Sequence, residues 1–127
     1  MKKLLLIILV CVPCFAGWLP NWLATGTAKW RIESLSFTNS ASTCTIVRNS
    51  GGFASTTYVS AGICTHAITA GVFSATPTCT CAALGNTDRA CTIYDATSST
   101  SIQTVTMVVS TGASTDFSGH IICMGPR

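Results

Sequence analysis

Charge is what this sequence has least of. Acidic side chains number four in 127 residues (Glu33, Asp88, Asp95 and Asp116), and there are two histidines, His66 and His120. Lysine is confined to Lys2, Lys3 and Lys29. So few titratable groups leave little from which to assemble a nucleophile, a base and an orienting group. Serines are plentiful, yet no Gly-x-Ser-x-Gly elbow occurs, and phosphate loops, EF-hand spacing, His-x-x-x-His and Asn-x-Ser/Thr are absent. Helical periodicity with caps is missing from every stretch of ten or more residues beyond the N-terminal segment. These absences exclude the common catalytic and metal-binding signatures. No catalytic residue, metal ligand or cofactor is assigned, and the chain is read as a non-enzyme.

Long apolar runs are also scarce. The one that exists, Leu4 to Val12, follows Lys2 and Lys3 and is broken by Pro13. Cys14-Phe15-Ala16 then places small residues at the −3 and −1 positions of a cleavage site after Ala16, which is the pattern of an export signal. The run is shorter than the about 20 apolar residues needed to span a bilayer. Residues 1–16 are therefore expected to be a signal peptide, and the protein to be secreted, periplasmic or held at the cell surface. Without the leader, five basic side chains against four acidic ones leave a net charge of +1, compared with +3 for the full chain. That excludes a basic surface for nucleic acid or anionic lipid. Solubility falls to hydroxyls, as Ser and Thr number 34.

Export also sorts the eight cysteines. Cys11 and Cys14 belong to the leader, leaving Cys44, Cys64, Cys79, Cys81, Cys91 and Cys123. An even set in a small exported domain reads as a disulfide framework. The C-x-C spacing at 79 and 81 lacks the gap and the histidines of a zinc site. Six cysteines admit many pairings, but strand geometry favours one. Cys79 and Cys81 share a face if their segment is extended. Cys81 and Cys91 flank Gly85-Asn86 and can pair across a hairpin; Cys79 is then free for Cys123, and Cys44 for Cys64.

The remaining chain is punctuated like a set of strands. Trp30 and Ile32 alternate with Arg31 and Glu33, and Leu35 and Phe37 follow with the phase shifted, as at a bulge. Further segments are expected over Cys44–Arg48, Phe53–Ser60, Ile63–Thr69, Val72–Ala75, Thr78–Ala83, Thr92–Asp95, Ser101–Ser110 and Phe117–Met124. Turns fall at Asn49-Ser50-Gly51-Gly52, Ala61-Gly62 and Gly85-Asn86-Thr87-Asp88. Eight to ten short strands at this spacing predict an all-β fold, a disulfide-stapled antiparallel β-sandwich or jelly roll over residues 29–127. Residues 17–28 form an apolar N-terminal arm. There Trp18, Leu19, Trp22 and Leu23 either cover the base of the sandwich or dock into a partner.

Individual side chains are expected to be structural. Each histidine sits in a strand as a partly buried or interface residue, and Glu33 is read as half of an exposed cross-strand pair with a neighbouring arginine. Asp88 is expected to bond local backbone at its turn. Tyr58 and Tyr94, with Trp30, are the aromatic platforms on offer to a glycan, although packing beside the core is the commoner use of such residues.

One segment carries a family likeness. Thr69-Ala70-Gly71-Val72-Phe73-Ser74-Ala75-Thr76-Pro77 running into Thr78-Cys79-Thr80-Cys81, then Val105 to Val109 and the closing Phe117, Ile121-Ile122-Cys123 and Met-Gly-Pro-Arg, resembles C-terminal modules of phage and prophage tail-fibre-like proteins. Such modules also occur in bacterial surface proteins. The resemblance covers about residues 63–127. It implies a compact β-sandwich, often trimeric, that ends a fibre or decorates a surface and contacts a receptor; it carries over no binding residue. The functional expectation is an exported binding or structural module, adhesin-like or fibre-tip-like, with self-association, a surface or fibre partner, or a glycan or other cell-surface receptor as its partners. The alternatives are a small secreted enzyme or toxin with an unrecognised site, and an envelope protein anchored by an uncleaved leader.

Overall fold

A computed structural model describes residues 29–85, 87–95 and 98–127. Residues 1–28, over which a signal peptide and an apolar arm with Trp18, Leu19, Trp22 and Leu23 are expected, lie outside the described residues. Eight strands are found among the latter: β1 (Trp30–Ser40), β2 (Thr43–Asn49), β3 (Phe53–Ser60), β4 (Ile63–Ile68), β5 (Thr78–Ala83), β6 (Arg89–Asp95), β7 (Ser101–Val108) and β8 (Gly119–Pro126). They build two four-stranded antiparallel sheets, ordered β2-β1-β8-β5 and β3-β4-β7-β6. The expected all-β sandwich is the fold.

The inner faces meet in a small core of Leu35, Phe37, Phe53, Ile68, Ile102 and Ile121, with the half-cystines Cys64 and Cys123 fully buried among them. Alternation explains the arrangement on β1. Residues 33, 35, 37 and 39 are buried, and the positions between them face outward. The expected phase shift between Ile32 and Leu35 does not occur. Trp30 and Ile32 are outward-facing, 60% and 65% exposed, whereas Glu33 is 3% exposed on the core side. Apolar character misled the phase assignment because the strand puts a carboxylate inside and two large apolar groups outside. β1 does carry an irregularity, but it lies at Ser36/Phe37 in its pairing with β2.

Val72–Ala75 is the other departure. Val72 and Phe73 are core residues, 4% exposed, yet no strand forms there. The segment carries the chain from β4 in one sheet to β5 in the other. It turns at Thr69–Val72 through a backbone bond and is tied to β8 by Ser74 N–H donating to the Pro126 carbonyl at 2.9 Å. A crossing segment has no sheet neighbour to pair with, so its apolar side chains plug one end of the core instead.

Three disulfides join the pairs favoured by the spacing: Cys44–Cys64, Cys79–Cys123 and Cys81–Cys91. Cys79 and Cys123 are direct cross-strand neighbours on β5 and β8, with Cα atoms 4.1 Å apart. The expected hairpin for Cys81–Cys91 is not present. β5 and β6 lie at the edges of different sheets, so this bridge fastens sheet to sheet, as does Cys44–Cys64 between β2 and β4. Three bridges are the chemistry of an oxidising compartment.

Two turns show the local cost of the topology. The β1–β2 hairpin places Ala41 and Ser42 at φ values of 48° and 66°, the two left-handed positions of a type I′ turn. Neither residue is suited to that conformation. Replacing Ala41 with Asn and Ser42 with Gly is therefore expected to raise stability by about 1 kcal/mol, read as an upward shift of the thermal midpoint. In the β3–β4 turn, Gly62 has φ +75°, and a Cβ there would come within 2.4 Å of the Thr106 carbonyl oxygen. That close approach is used: Thr106 N–H and its hydroxyl both donate to the Gly62 carbonyl, and Gly62 N–H donates to Asp116.

Candidate functional site

Register lays out the outer face of the β2-β1-β8-β5 sheet row by row. Arg48, Ser36, His120 and Ala82 form one row across the four strands, and Ser34, Ile122 and Thr80 form the next. Beyond them come Ile32 with Met124 and Thr78, then Trp30 with Pro126. The face thus grades from polar at one end to apolar at the other.

The polar end holds a cleft of about 470 Å³ lined by Ser34, Ser36, Arg48, Asn49, Ser50 and His120. Its walls are fixed by hydrogen bonds. Ser36 Oγ and His120 Nδ1 are 2.8 Å apart across β1 and β8. Ser50 N–H donates to the Ser34 carbonyl at 3.0 Å, and Ser34 N–H donates to Ser50 Oγ at 2.9 Å. Asn49 Oδ1 accepts from Gly51 N–H at 2.9 Å, and its amide N–H donates to the Phe53 carbonyl, so this side chain shapes the turn into β3.

Glu33 anchors the cleft from behind. Instead of an exposed cross-strand partner, it is a buried carboxylate that accepts the Ser50 hydroxyl, the Arg31 guanidinium and Gly52 N–H. Burial pushes its pKa up, but the Ser50, Arg31 and Gly52 donors outweigh that effect and hold it below the ordinary glutamate value. A Cβ on Gly52 would fall within 2.3 Å of the Glu33 side chain, so only glycine lets the turn close over the carboxylate.

The cleft presents one permanent cation. Among the described residues the one ion pair joins Arg31 and Glu33, and Arg48 makes no salt bridge. None of the lining residues is acidic. The Ser36–His120 contact has two members of a nucleophile-and-base arrangement, but no lining carboxylate orients the imidazole. The arrangement offers hydroxyls, an amide, an imidazole and a guanidinium as hydrogen-bonding groups. Among the described residues, no group of three His, Cys, Asp or Glu side chains could hold a metal ion.

The other sequence-expected residues are scattered. Tyr58 is half-buried on β3 and Tyr94 is 62% exposed on β6, at opposite edges of the second sheet. They do not form one site. Trp30 is exposed, but six residues along β1 from Ser36, about 20 Å away, which is too far to roof the cleft. Asp88 accepts from the backbone N–H and the hydroxyl of Ser110, just past the end of β7. His66 is fully buried between Thr56 and Thr104, with its ring centroid 4.6 Å from that of Phe37. Desolvation lowers its pKa to about 4, so it is a neutral core residue. The cleft residues themselves escaped the sequence reading. Their one signal was the polar pair Ser34 and Ser36 alternating with Glu33, Leu35 and Phe37, since the arginine and histidine arrive from β2 and β8.

No family model, curated protein or solved structure matches the chain.

Proposed function

We propose that this protein is an exported, non-enzymatic binding module whose ligand enters the cleft around Arg48. The observation that carries the reading is an unpaired guanidinium set among serine hydroxyls, an amide and an imidazole, with no acidic group lining the cleft. Such a lining suits a polyhydroxylated ligand, and a carboxylate-bearing glycan above all, because the arginine fork accepts a carboxylate through two parallel hydrogen bonds. Cell-surface glycans are the ligand class to which an exported module has access. The leader pattern in residues 1–16 and the disulfides support export, and the resemblance to fibre-tip and surface modules supports receptor contact. Display as a homo-oligomer, trimeric as in those modules, belongs to the same reading and is measured by light scattering.

A glycan array probed with the exported chain tests the proposal. Acidic glycans are expected to bind, and Arg48→Ala to weaken them about ten- to a hundredfold, the worth of hydrogen bonds to a charged group. Arg48 is exposed, so the substitution should leave the thermal midpoint unchanged. Binding that is indifferent to Arg48→Ala, or no glycan bound at all, defeats the assignment.

A further inference from the structure

The apolar end of the same sheet face is unaccounted for by the cleft. Trp30, Ile32, Ile122 and Met124 stand next to one another on β1 and β8, with 60%, 65%, 45% and 46% of their surfaces exposed. Isolated exposed apolar residues are ordinary, but a contiguous strip of large ones marks a surface that something covers. No charged side chain occupies these rows; their other members are Ser34 on β1, which also borders the cleft, and Pro126, Thr78 and Thr80 on β8 and β5.

The strip begins where the preceding chain enters. Arg127 N–H donates to the Lys29 carbonyl at 2.8 Å, so pairing of β1 with β8 persists to the first described residue. Immediately before it lies Gly17 to Ala28, a stretch without Asp, Glu, Lys or Arg that carries Trp18, Leu19, Trp22 and Leu23. We propose that residues 17–28 of the same chain dock on the Trp30–Ile32–Ile122–Met124 strip. The lengths agree. From the Trp30 row to the Ile122 row is four residues along β1, about 13 Å. Ala24-Thr25-Gly26-Thr27-Ala28 can span up to about 17 Å, enough to reverse direction, and its glycine eases the reversal. The six residues from Trp18 to Leu23 then reach the length of the strip. The uncharged side chains of the segment and of the strip match in polarity, and the Arg48 row lies beyond the strip.

Methionine oxidation reports on this directly. Met124 is on the strip, whereas Met107 is half-buried on β7 of the other sheet and serves as an internal reference. The exported chain and its Trp18→Ser/Trp22→Ser variant are treated with dilute hydrogen peroxide, and sulfoxide is followed at each methionine by mass spectrometry. Met124 is expected to oxidise about tenfold more slowly in the parent than in the variant, independently of protein concentration, with Met107 rates unchanged. Ile32→Glu places a charge on the strip at an outward position and is expected to free Met124 to the same extent with the segment intact. Equal Met124 rates in parent and variants overturn the proposal. So does protection that grows with concentration in step with a dimer on light scattering, since the occupant is then a second copy.

Discussion

Removal of the Cys79–Cys123 bridge by paired alanine substitution is expected to cost about 4 kcal/mol of unfolding free energy, the largest loss among the three bridges. Sequence separations are 44 residues for this pair, 20 for Cys44–Cys64 and 10 for Cys81–Cys91. Loop-closure entropy in the unfolded chain grows with that separation, giving roughly 4, 3.3 and 2.7 kcal/mol in this order. The nested Cys81–Cys91 link shortens the effective Cys79–Cys123 loop without changing the ranking. Cys123 is fully buried, so alanine is the appropriate replacement and avoids introducing a buried hydroxyl. Small domains have only about 5–15 kcal/mol in hand, and a loss of this size shifts the guanidinium midpoint visibly. Unfolding curves for the three double-alanine variants check the order. If Cys81–Cys91 proves the costliest to lose, native stapling of one sheet to the other outweighs constraint of the unfolded chain, and the entropic account fails.

Acid is the second expected weakness, and its origin is one residue. His66 has a pKa of about 4 in the folded protein, well below its ordinary 6.5, because its site between Thr56, Thr104 and the Phe37 ring excludes the water that would solvate an imidazolium. The unfolded chain therefore takes up a proton as pH falls through 6.5, while the folded one does not until about 4. Stability is full above about pH 7 and declines between pH 6.5 and 4 by up to about 3 kcal/mol, at 1.36 kcal/mol per unit of pKa difference. Glu33, also depressed, adds a further loss only below the ordinary glutamate range, as its donors lose their carboxylate partner. Denaturant midpoints measured from pH 7.5 to 4 separate the two. In His66→Gln the amide can still bond to threonine but does not titrate, so the decline between pH 6.5 and 4 should flatten. An unchanged slope in that variant would place the acid sensitivity elsewhere.

Much of the architecture was readable from spacing. Phe53–Ser60 and Thr78–Ala83 occur as strands with the boundaries that their β-branched residues and flanking glycines imply, and Ala61-Gly62 is the turn expected between β3 and β4. The disulfide pairing matches the one the spacing favoured, although the hairpin from which Cys81–Cys91 was inferred does not form. What failed did so for identifiable reasons. Alternation tells which residues share a face but not which face is inside, and on β1 hydrophobicity points the wrong way at Trp30, Ile32 and Glu33. An apolar run such as Val72–Ala75 looks the same whether it pairs in a sheet or crosses between sheets.

The residue pattern by itself determined the class, a nearly charge-neutral, all-β, six-cysteine domain, because strand periodicity, turn residues and cysteine parity are local properties of the chain. Tertiary structure alone decided which sheet each strand joined, that two of the bridges fasten sheet to sheet, and that Arg48 and His120 converge on Ser34, Ser36 and Ser50. These three decisions depend on pairing between segments up to 84 residues apart, as between Ser36 and His120. Register across β2, β1 and β8 sets that convergence, and no local sequence signal encodes it.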